Sequence, residues 1–154
     1  MKSAAWDVNA AVGAIQPDVL CSNKPAHRTF AFQSYLCQKM FSNFQHKSYN
    51  LAALEDRSMW GCCKYFDEFT KLRYVEQIQK LSQHSTIMNF FRVKYLALVH
   101  PKMELCFFGN LDHRAMVISD QGFPSSAFFD AFTKMARRMW LLHCLFFSFE
   151  RESD

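Results

Sequence analysis

The strongest constraint on the fold of this chain is a long helical repeat of apolar residues near its C-terminal end. The segment FPSSAFFDAFTKMARRMWLLHCLFFSF carries apolar side chains at positions 128, 132, 135, 139, 142, 146 and 149. Residues three and four apart share one face of an α-helix, so this spacing predicts one long amphipathic helix. Ser125 or Ser126 is expected to cap it, because a serine hydroxyl accepts a hydrogen bond from an unpaired amide of the first turn.

Four further segments carry features of helices. They span residues 3–15, 26–44, 51–81 and 85–99. A break near Gly61 divides the third segment into two helices in one of its two interpretations. The YLALV end of the fourth segment leaves a strand as the alternative, but Ser85 and Thr86 suit a helix start, and we therefore predict a helix.

No segment alternates apolar and polar residues over any length, which argues against β-structure. The 154 residues are enough for one domain with a substantial core. We predict an all-α fold, an irregular helical domain of about five helices that extends over residues 1–154. One long ordered loop is expected at residues 100–124, and such a loop is more often functional or packed as an Ω-loop than idle.

Composition excludes several classes of protein. Half of the residues are apolar and 16% are aromatic, which is unlike a disordered chain. The net charge of +4 does not come from any run of like charges, so we expect no nucleic-acid partner.

The longest apolar run, residues 140–149, is about half of a membrane span. Six cysteines without a Cys-x-x-Cys pair or a signal peptide predict a reduced intracellular compartment, with the cysteines as small core residues.

The segment HPKMELCFFGNLDHR, residues 100–114, gathers polar side chains around a Phe-Phe pair. In one interpretation it is a recognition loop in which polar residues contact a protein partner while the phenylalanines anchor it. The residues of this candidate partner-binding site are His100, Glu104, Asn110, Asp112 and Arg114. In the other interpretation the segment is an internal scaffold whose polar groups satisfy one another.

Two other classes of function remain as alternatives. A small metal- or thiol-dependent enzyme would use His100, Glu104 and His113, or Cys106, but no metal-ligand or catalytic spacing is visible, so we predict no catalytic residue, metal or cofactor. A peripheral membrane module would place a basic cluster against anionic lipid, although the same cluster also fits a solvated helix face. That cluster consists of Lys134, Arg137 and Arg138.

Four strings closely resemble one plant protein family. They are MKSAAWDVNAAVGAIQPDV at residues 1–19, HRTFAFQSYLCQKMFSNF at 27–44, FRVKYLALVHPKMELCFFGNLDHR at 91–114 and FFDAFTKMARRMWLLHCLFFSF at 128–149. They cover most of the chain and are similar to the gravitropic-in-the-light and receptor-kinase-interacting proteins. The resemblance implies a plant protein with no known catalytic residues.

The resemblance also implies an adaptor function. Its relatives act in the light-dependent release of hypocotyl gravitropism or bind the cytoplasmic part of a leucine-rich-repeat receptor-like kinase. We therefore expect a non-enzymatic interaction module in plant signalling, with a protein partner such as a receptor-like kinase. The expected location is the cytoplasm, with the inner face of the plasma membrane as the more specific alternative. The relatives' upstream coiled-coil region and final tail have no counterpart in this sequence, so the resemblance implies the family's C-terminal domain, truncated at both ends.

Overall fold

The computed structural model describes residues 25–75, 78–119 and 122–150, and the predicted helix at residues 3–15 lies outside them. Within these ranges the chain forms seven α-helices, one 3₁₀-helix and no strand, which confirms the all-α prediction. The 3₁₀-helix spans Ala52–Met59. The α-helices are α1 (Pro25–Phe41), α2 (Cys62–Leu72), α3 (Ile78–Leu81), α4 (Ser85–Leu98), α5 (Pro101–Phe108), α6 (Asp112–Ile118) and α7 (Ala127–Ser148).

The described residues group into two compact units. The first unit contains residues 25–40, 95–119 and 122–124, and the second contains residues 41–75, 78–94 and 125–150. Each unit is therefore built from segments that are distant in sequence. The prediction of one domain over residues 1–154 stays a prediction.

Helix α7 is the central helix of the second unit, as its apolar repeat predicts, and it packs against α2. Ser126 is the cap, because its Oγ accepts a hydrogen bond from the amide of Phe129 at 3.1 Å. The buried face differs from the predicted one. It includes Ala136, Trp140, His143, Cys144 and Phe147.

Three of the predicted core positions of α7 lie on its exposed side instead: Leu142, Phe146 and Phe149 are 46%, 54% and 77% exposed. The C-terminal half of the helix, MWLLHCLFFSF, is apolar on both faces, so periodicity alone could not select the buried one. Packing against α2 and the surrounding aromatic rings determines which face of α7 is buried. The prediction for these three residues is wrong.

The segment 51–81 contains three helical pieces. Trp60 and Gly61 have extended backbones, with ψ of 135° and 170°, and they separate the 3₁₀-helix from α2. The predicted break near Gly61 is therefore observed, and a second break precedes α3. Residues 85–98 form helix α4, so the alternative of a strand in that segment is wrong.

The predicted long loop at residues 100–124 is also wrong, because most of it forms helices α5 and α6. Pro101 is the first residue of α5, where the fixed φ of proline suits the helix and its missing N–H costs no hydrogen bond. Gly109 ends α5 at φ 71°, a left-handed conformation that glycine adopts without strain. Pro101 and Gly109 are thus a helix start and a helix stop within the expected loop, and seven described α-helices replace the expected five.

The turns between α1 and the 3₁₀-helix contain three residues with left-handed backbones: Asn43, Tyr49 and Asn50 have φ of 59°, 53° and 56°. Asparagine tolerates this conformation, whereas a bulky residue such as tyrosine adopts it at a cost of about 1–3 kcal/mol. Tyr49 is 1% exposed, and its ring stacks on His143 with ring centroids 4.0 Å apart. Packing of the ring therefore maintains the strained backbone.

Candidate functional site

Three of the five predicted partner-binding residues lie on the surface of the first unit, where each takes part in a local turn. His100 caps α5, because its Nδ1 accepts a hydrogen bond from the amide of Lys102 at 3.2 Å. Asn110 links the two helices: its Oδ1 accepts from the amide of Asp112 at 3.1 Å, and its Nδ2 donates to the carbonyl of Phe108 at 3.3 Å. These bonds hold the side chains of His100 and Asn110 in fixed positions, and Asp112 takes part through its backbone amide.

Glu104 lies in the interior, with no exposed surface. Its Oε1 accepts hydrogen bonds from the amide of Arg114 at 2.7 Å and from the hydroxyl of Tyr95 at 3.4 Å. Leu111, at the N-cap position of α6, provides no side-chain bond, so Glu104 supplies the acceptor for this helix start. Burial raises the pKa of the Glu104 carboxyl above its usual value, against the opposing effect of the Arg114 amide.

Arg114 is half-buried and also binds within the first unit, because its Nη1 donates to the carbonyl of Val99 at 3.0 Å, just after the end of α4. The structure therefore joins Glu104 to Arg114 and Asn110 to Asp112, while His100 contacts its own helix. Glu104 and Arg114 fit the scaffold interpretation, because their polar groups bind one another and the backbone within the first unit. His100, Asn110 and Asp112 are exposed, and partner binding there stays a prediction.

Metal-ligating side chains do not converge in the part of the chain that the structure describes: no three His, Cys, Asp or Glu residues lie close enough to hold a metal ion. His113, a candidate of the enzyme alternative, packs its ring edge-on against Phe108, with centroids 4.4 Å apart. Cys106 is half-buried.

A cavity of about 670 Å³ lies in the second unit beside Trp60, along α2 and the start of α4. Its charged lining is mixed in sign and comes from α2: Lys64, Asp67, Glu68 and Lys71. Such a lining favours no single charge class of ligand.

A buried polar cluster in the second unit was not identified from the sequence. Arg57 has no exposed surface, and its Nη2 donates to Nδ1 of His143 at 3.1 Å and to Sγ of Cys144 at 3.4 Å. The guanidinium carbon lies 3.8 Å from the ring centroid of Trp140, a cation–π contact. Among the described residues nothing hydrogen-bonds to Nε or Nη1 of Arg57.

The tautomer of His143 follows from its two neighbours. A backbone carbonyl only accepts, so Nε2 of His143 carries the proton and donates to the carbonyl of His46 at 3.0 Å. Nδ1 is then the acceptor for Arg57. Burial, and next the charge of Arg57, lower the pKa of His143 to about 3, so the ring is neutral near pH 7.

The Arg57 cluster joins the 3₁₀-helix to α7 and is structural in this arrangement. Burial raises the pKa of Cys144 to about 12, which leaves its thiol protonated and unreactive. The sequence signal for the cluster was His143 within an otherwise apolar run of α7. Nothing in the polar segment around Arg57 indicated that this arginine is buried.

The basic cluster of α7 is divided by the fold. Arg137 is 9% exposed, and its Nη2 donates to the carbonyls of Arg73 at 2.6 Å and Leu72 at 3.4 Å, where it satisfies the end of α2. Lys134 and Arg138 are exposed. The predicted cationic face therefore has two residues on the surface rather than three.

The cysteines are also less buried than expected. Cys144 is buried, whereas Cys37 and Cys63 are exposed. The expectation that the cysteines are small core residues is correct for Cys144 and wrong for these two.

No described helix is both long enough and apolar enough to cross a bilayer. The predicted resemblance to the gravitropic-in-the-light proteins is confirmed by a curated relative. The particular relative is Protein GRAVITROPIC IN THE LIGHT 1 of Arabidopsis thaliana, which is 30% identical over 173 aligned positions that cover 97% of this chain. The chain spans 30% of that protein's length. No family model and no solved structure matches the chain.

Proposed function

We propose that the chain is a non-enzymatic protein-interaction module in plant signalling, acting in the cytoplasm on a partner such as the cytoplasmic domain of a receptor-like kinase. The observation that carries the proposal is the similarity of 97% of the chain to a protein named for gravitropism in the light. The similarity to this relative thus supports a role in plant signalling. Binding without turnover is our inference for this chain.

The surface at the starts of α5 and α6 supports this proposal. His100, Asn110 and Asp112 are exposed there, and the local hydrogen bonds of the His100 and Asn110 side chains reduce the conformational entropy that binding would cost. Leu105 and Leu111, 47% and 38% exposed, add apolar area on the same two helices. Protein interfaces typically combine exposed apolar and polar side chains.

The test uses a variant that changes this surface and keeps the caps. His100→Ser retains an acceptor at the start of α5, and Asp112→Arg reverses the charge at the start of α6. Proteins retained from plant extract by the wild type are identified by mass spectrometry, and a retained kinase domain is then produced pure and its dissociation constant measured by calorimetry. We expect the double variant to bind at least about tenfold more weakly, or about 1.4 kcal/mol.

The matched control is Asp130→Arg, because Asp130 also lies in the first turn of a helix and its reversal costs the same favourable dipole interaction. Circular dichroism must show all variants to be helical. Equal affinity of the wild type and the double variant for the purified kinase domain would place the binding surface elsewhere. Failure of every purified kinase domain to bind the wild type would contradict the proposed partner.

A further inference from the structure

The exposed side of α7 carries a row of residues that the core does not use. From one end to the other, this outer row consists of Lys134, Arg138, Leu142, Phe146 and Phe149. Leu142, Phe146 and Phe149 are 46%, 54% and 77% exposed, and they follow one another at helical spacing. The outer row is thus basic at its beginning and apolar toward the C-terminus of the helix.

Two neighbouring phenylalanines of the same unit widen the apolar part of the outer row. The ring centroid of Phe44 is 5.5 Å from that of Phe146 and 5.5 Å from that of Phe41, which is 48% exposed. Contiguous exposed aromatic surface is uncommon on a monomeric protein and usually marks an interaction site.

The charges at the two ends of the outer row decide which occupant fits. Beyond the apolar part, Glu150 is exposed, with its carboxylate 3.3 Å from Nζ of Lys47. The surface therefore begins with two cations and ends with an ion pair whose carboxylate is half exposed. A second copy running antiparallel offers each end a group of opposite charge, Lys134 for the exposed part of the Glu150 carboxylate and Glu150 for Lys134, and an anionic lipid surface matches the cationic end alone.

We propose that the outer row is the interface through which two copies of the chain associate, with their α7 helices antiparallel about a two-fold axis at Leu142. Equal spacing on either side of the axis sets Lys134 of one copy against Glu150 of the second copy. Arg138 then faces the Phe146 ring of the second copy, a cation–π pair, and the two Leu142 side chains meet at the centre. Every contact occurs twice, as an isologous interface requires.

The first test is sedimentation velocity of the full chain over a range of concentrations. We expect a reversible dimer with a dissociation constant of about 10 µM, as is usual for small transient interfaces. Leu142→Glu should abolish it, because it places two carboxylates on the axis. The matched control is Met59→Glu, a similar change at an apolar residue that is 89% exposed on the 3₁₀-helix, and this variant should still dimerise.

Charge reversal tests the antiparallel register. Lys134→Glu and Glu150→Lys each set like charges against each other in a homodimer, so each variant alone should dimerise at least about tenfold more weakly. In an equimolar mixture, the heterodimer has one wild-type contact and one with both charges reversed, and both are attractive, so it should form with near wild-type affinity. Intramolecular damage, including loss of the Lys47 contact, is not repaired by mixing.

A wild type that remains monomeric at about 0.1 mM overturns the proposal. If that monomer sediments with anionic vesicles and Leu142→Glu prevents it, the surface binds lipid instead. A dimer whose two charge variants are not rescued by mixing also overturns it, because the register is then different. None of these results depends on the proposed signalling partner, which is tested on the first unit.

Discussion

At the scale of single residues, the main feature of the second unit is a cation accommodated by neutral groups. Arg57 has no exposed surface, and within the described chain its hydrogen-bonding partners are His143 and Cys144 rather than a carboxylate. Desolvation of a guanidinium costs several kcal/mol, which the Trp140 ring and the His143 lone pair offset in part. A protonated His143 would add a second cation, so the neutral imidazole is a requirement of this core.

This requirement predicts how the stability of the protein depends on pH. The pKa of His143 is lowered from 6.5 to about 3, so the unfolded chain binds the proton first as pH falls. The contribution of His143 is complete above pH 6.5 and is lost as pH falls toward 3. Between pH 6 and 5 we expect the free energy of unfolding to fall by up to about 1.4 kcal/mol, measured by urea unfolding.

The control for this prediction separates His143 from other titrating groups. His143→Gln keeps an acceptor for Arg57 and should remove the slope, whereas His46→Gln, at an exposed histidine of the same unit, should leave it. The measurements are made in a Glu104→Gln background, because Glu104 contributes with the opposite sign. An unchanged slope in His143→Gln would show that His143 is not the group responsible.

At the scale of secondary-structure elements, α5 and α6 depend on one carboxylate. Glu104 of α5 accepts the amide of Arg114 in the first turn of α6 and the hydroxyl of Tyr95 in α4. Residues 95, 104 and 114 of the first unit, from three different helices, thus share one oxygen atom. A helix as short as α6 has little stability of its own, so its formation depends on the hydrogen bond from the Arg114 amide to Glu104.

The effect of Glu104 can be measured with two substitutions. Glu104→Leu should lower the free energy of unfolding by about 1–3 kcal/mol and speed hydrogen exchange in α6, because the amide of Arg114 loses its acceptor. Glu104→Gln should stay near the wild type, since its Oε1 is kept. Equal losses in both variants would contradict this role of the acceptor oxygen.

The pH dependence of stability, compared between the wild type and Glu104→Gln, tests whether the Glu104 carboxyl is buried. A raised folded pKa means that the contribution of Glu104 is complete below its usual value of 4.5 and is lost as pH rises through the folded value. The wild type should therefore lose stability relative to Glu104→Gln as pH rises above 4.5.

The elements also show how far sequence reasoning extends. Helix α7, its serine cap and the break near Gly61 were predictable, because apolar spacing, capping and glycine are local signals. Helices α5 and α6 were not, because Pro101 and Gly109 mark helix ends as readily as loops. In the candidate site the sequence identified the polar residues but could not tell buried Glu104 from exposed His100, since burial is decided by packing across elements.

At the scale of the whole molecule, each unit is assembled from distant parts of the chain. The second unit needs residues 41–75 and 78–94 together with α7, which follows after thirty residues of the first unit (95–124). Native contacts of such long sequence separation form slowly, because the entropy of loop closure is lost before the contacts can stabilise the loop. Arg57 and His143, 86 positions apart, are one example.

The thiols report on the opening of the second unit. Cys144 is buried with its pKa raised to about 12, whereas Cys37 and Cys63 are exposed. We expect iodoacetamide to modify Cys144 at least about a thousandfold more slowly than Cys37, because the core must unfold first. Peptide mass spectrometry measures both rates, and concentrated urea should make them similar. Comparable rates without urea would mean that this core opens locally.

The left-handed backbone at Tyr49 has a consequence for how this position can vary. Glycine would relieve the backbone but empty a space in the core, while β-branched residues would suit neither the backbone nor the stacking on His143. The hydroxyl has no hydrogen-bond partner among the described residues, so phenylalanine meets the same demands as tyrosine. Natural variation at position 49 should therefore preserve the flat six-membered ring, whereas the hydroxyl group should vary. Both tyrosine and phenylalanine are expected there.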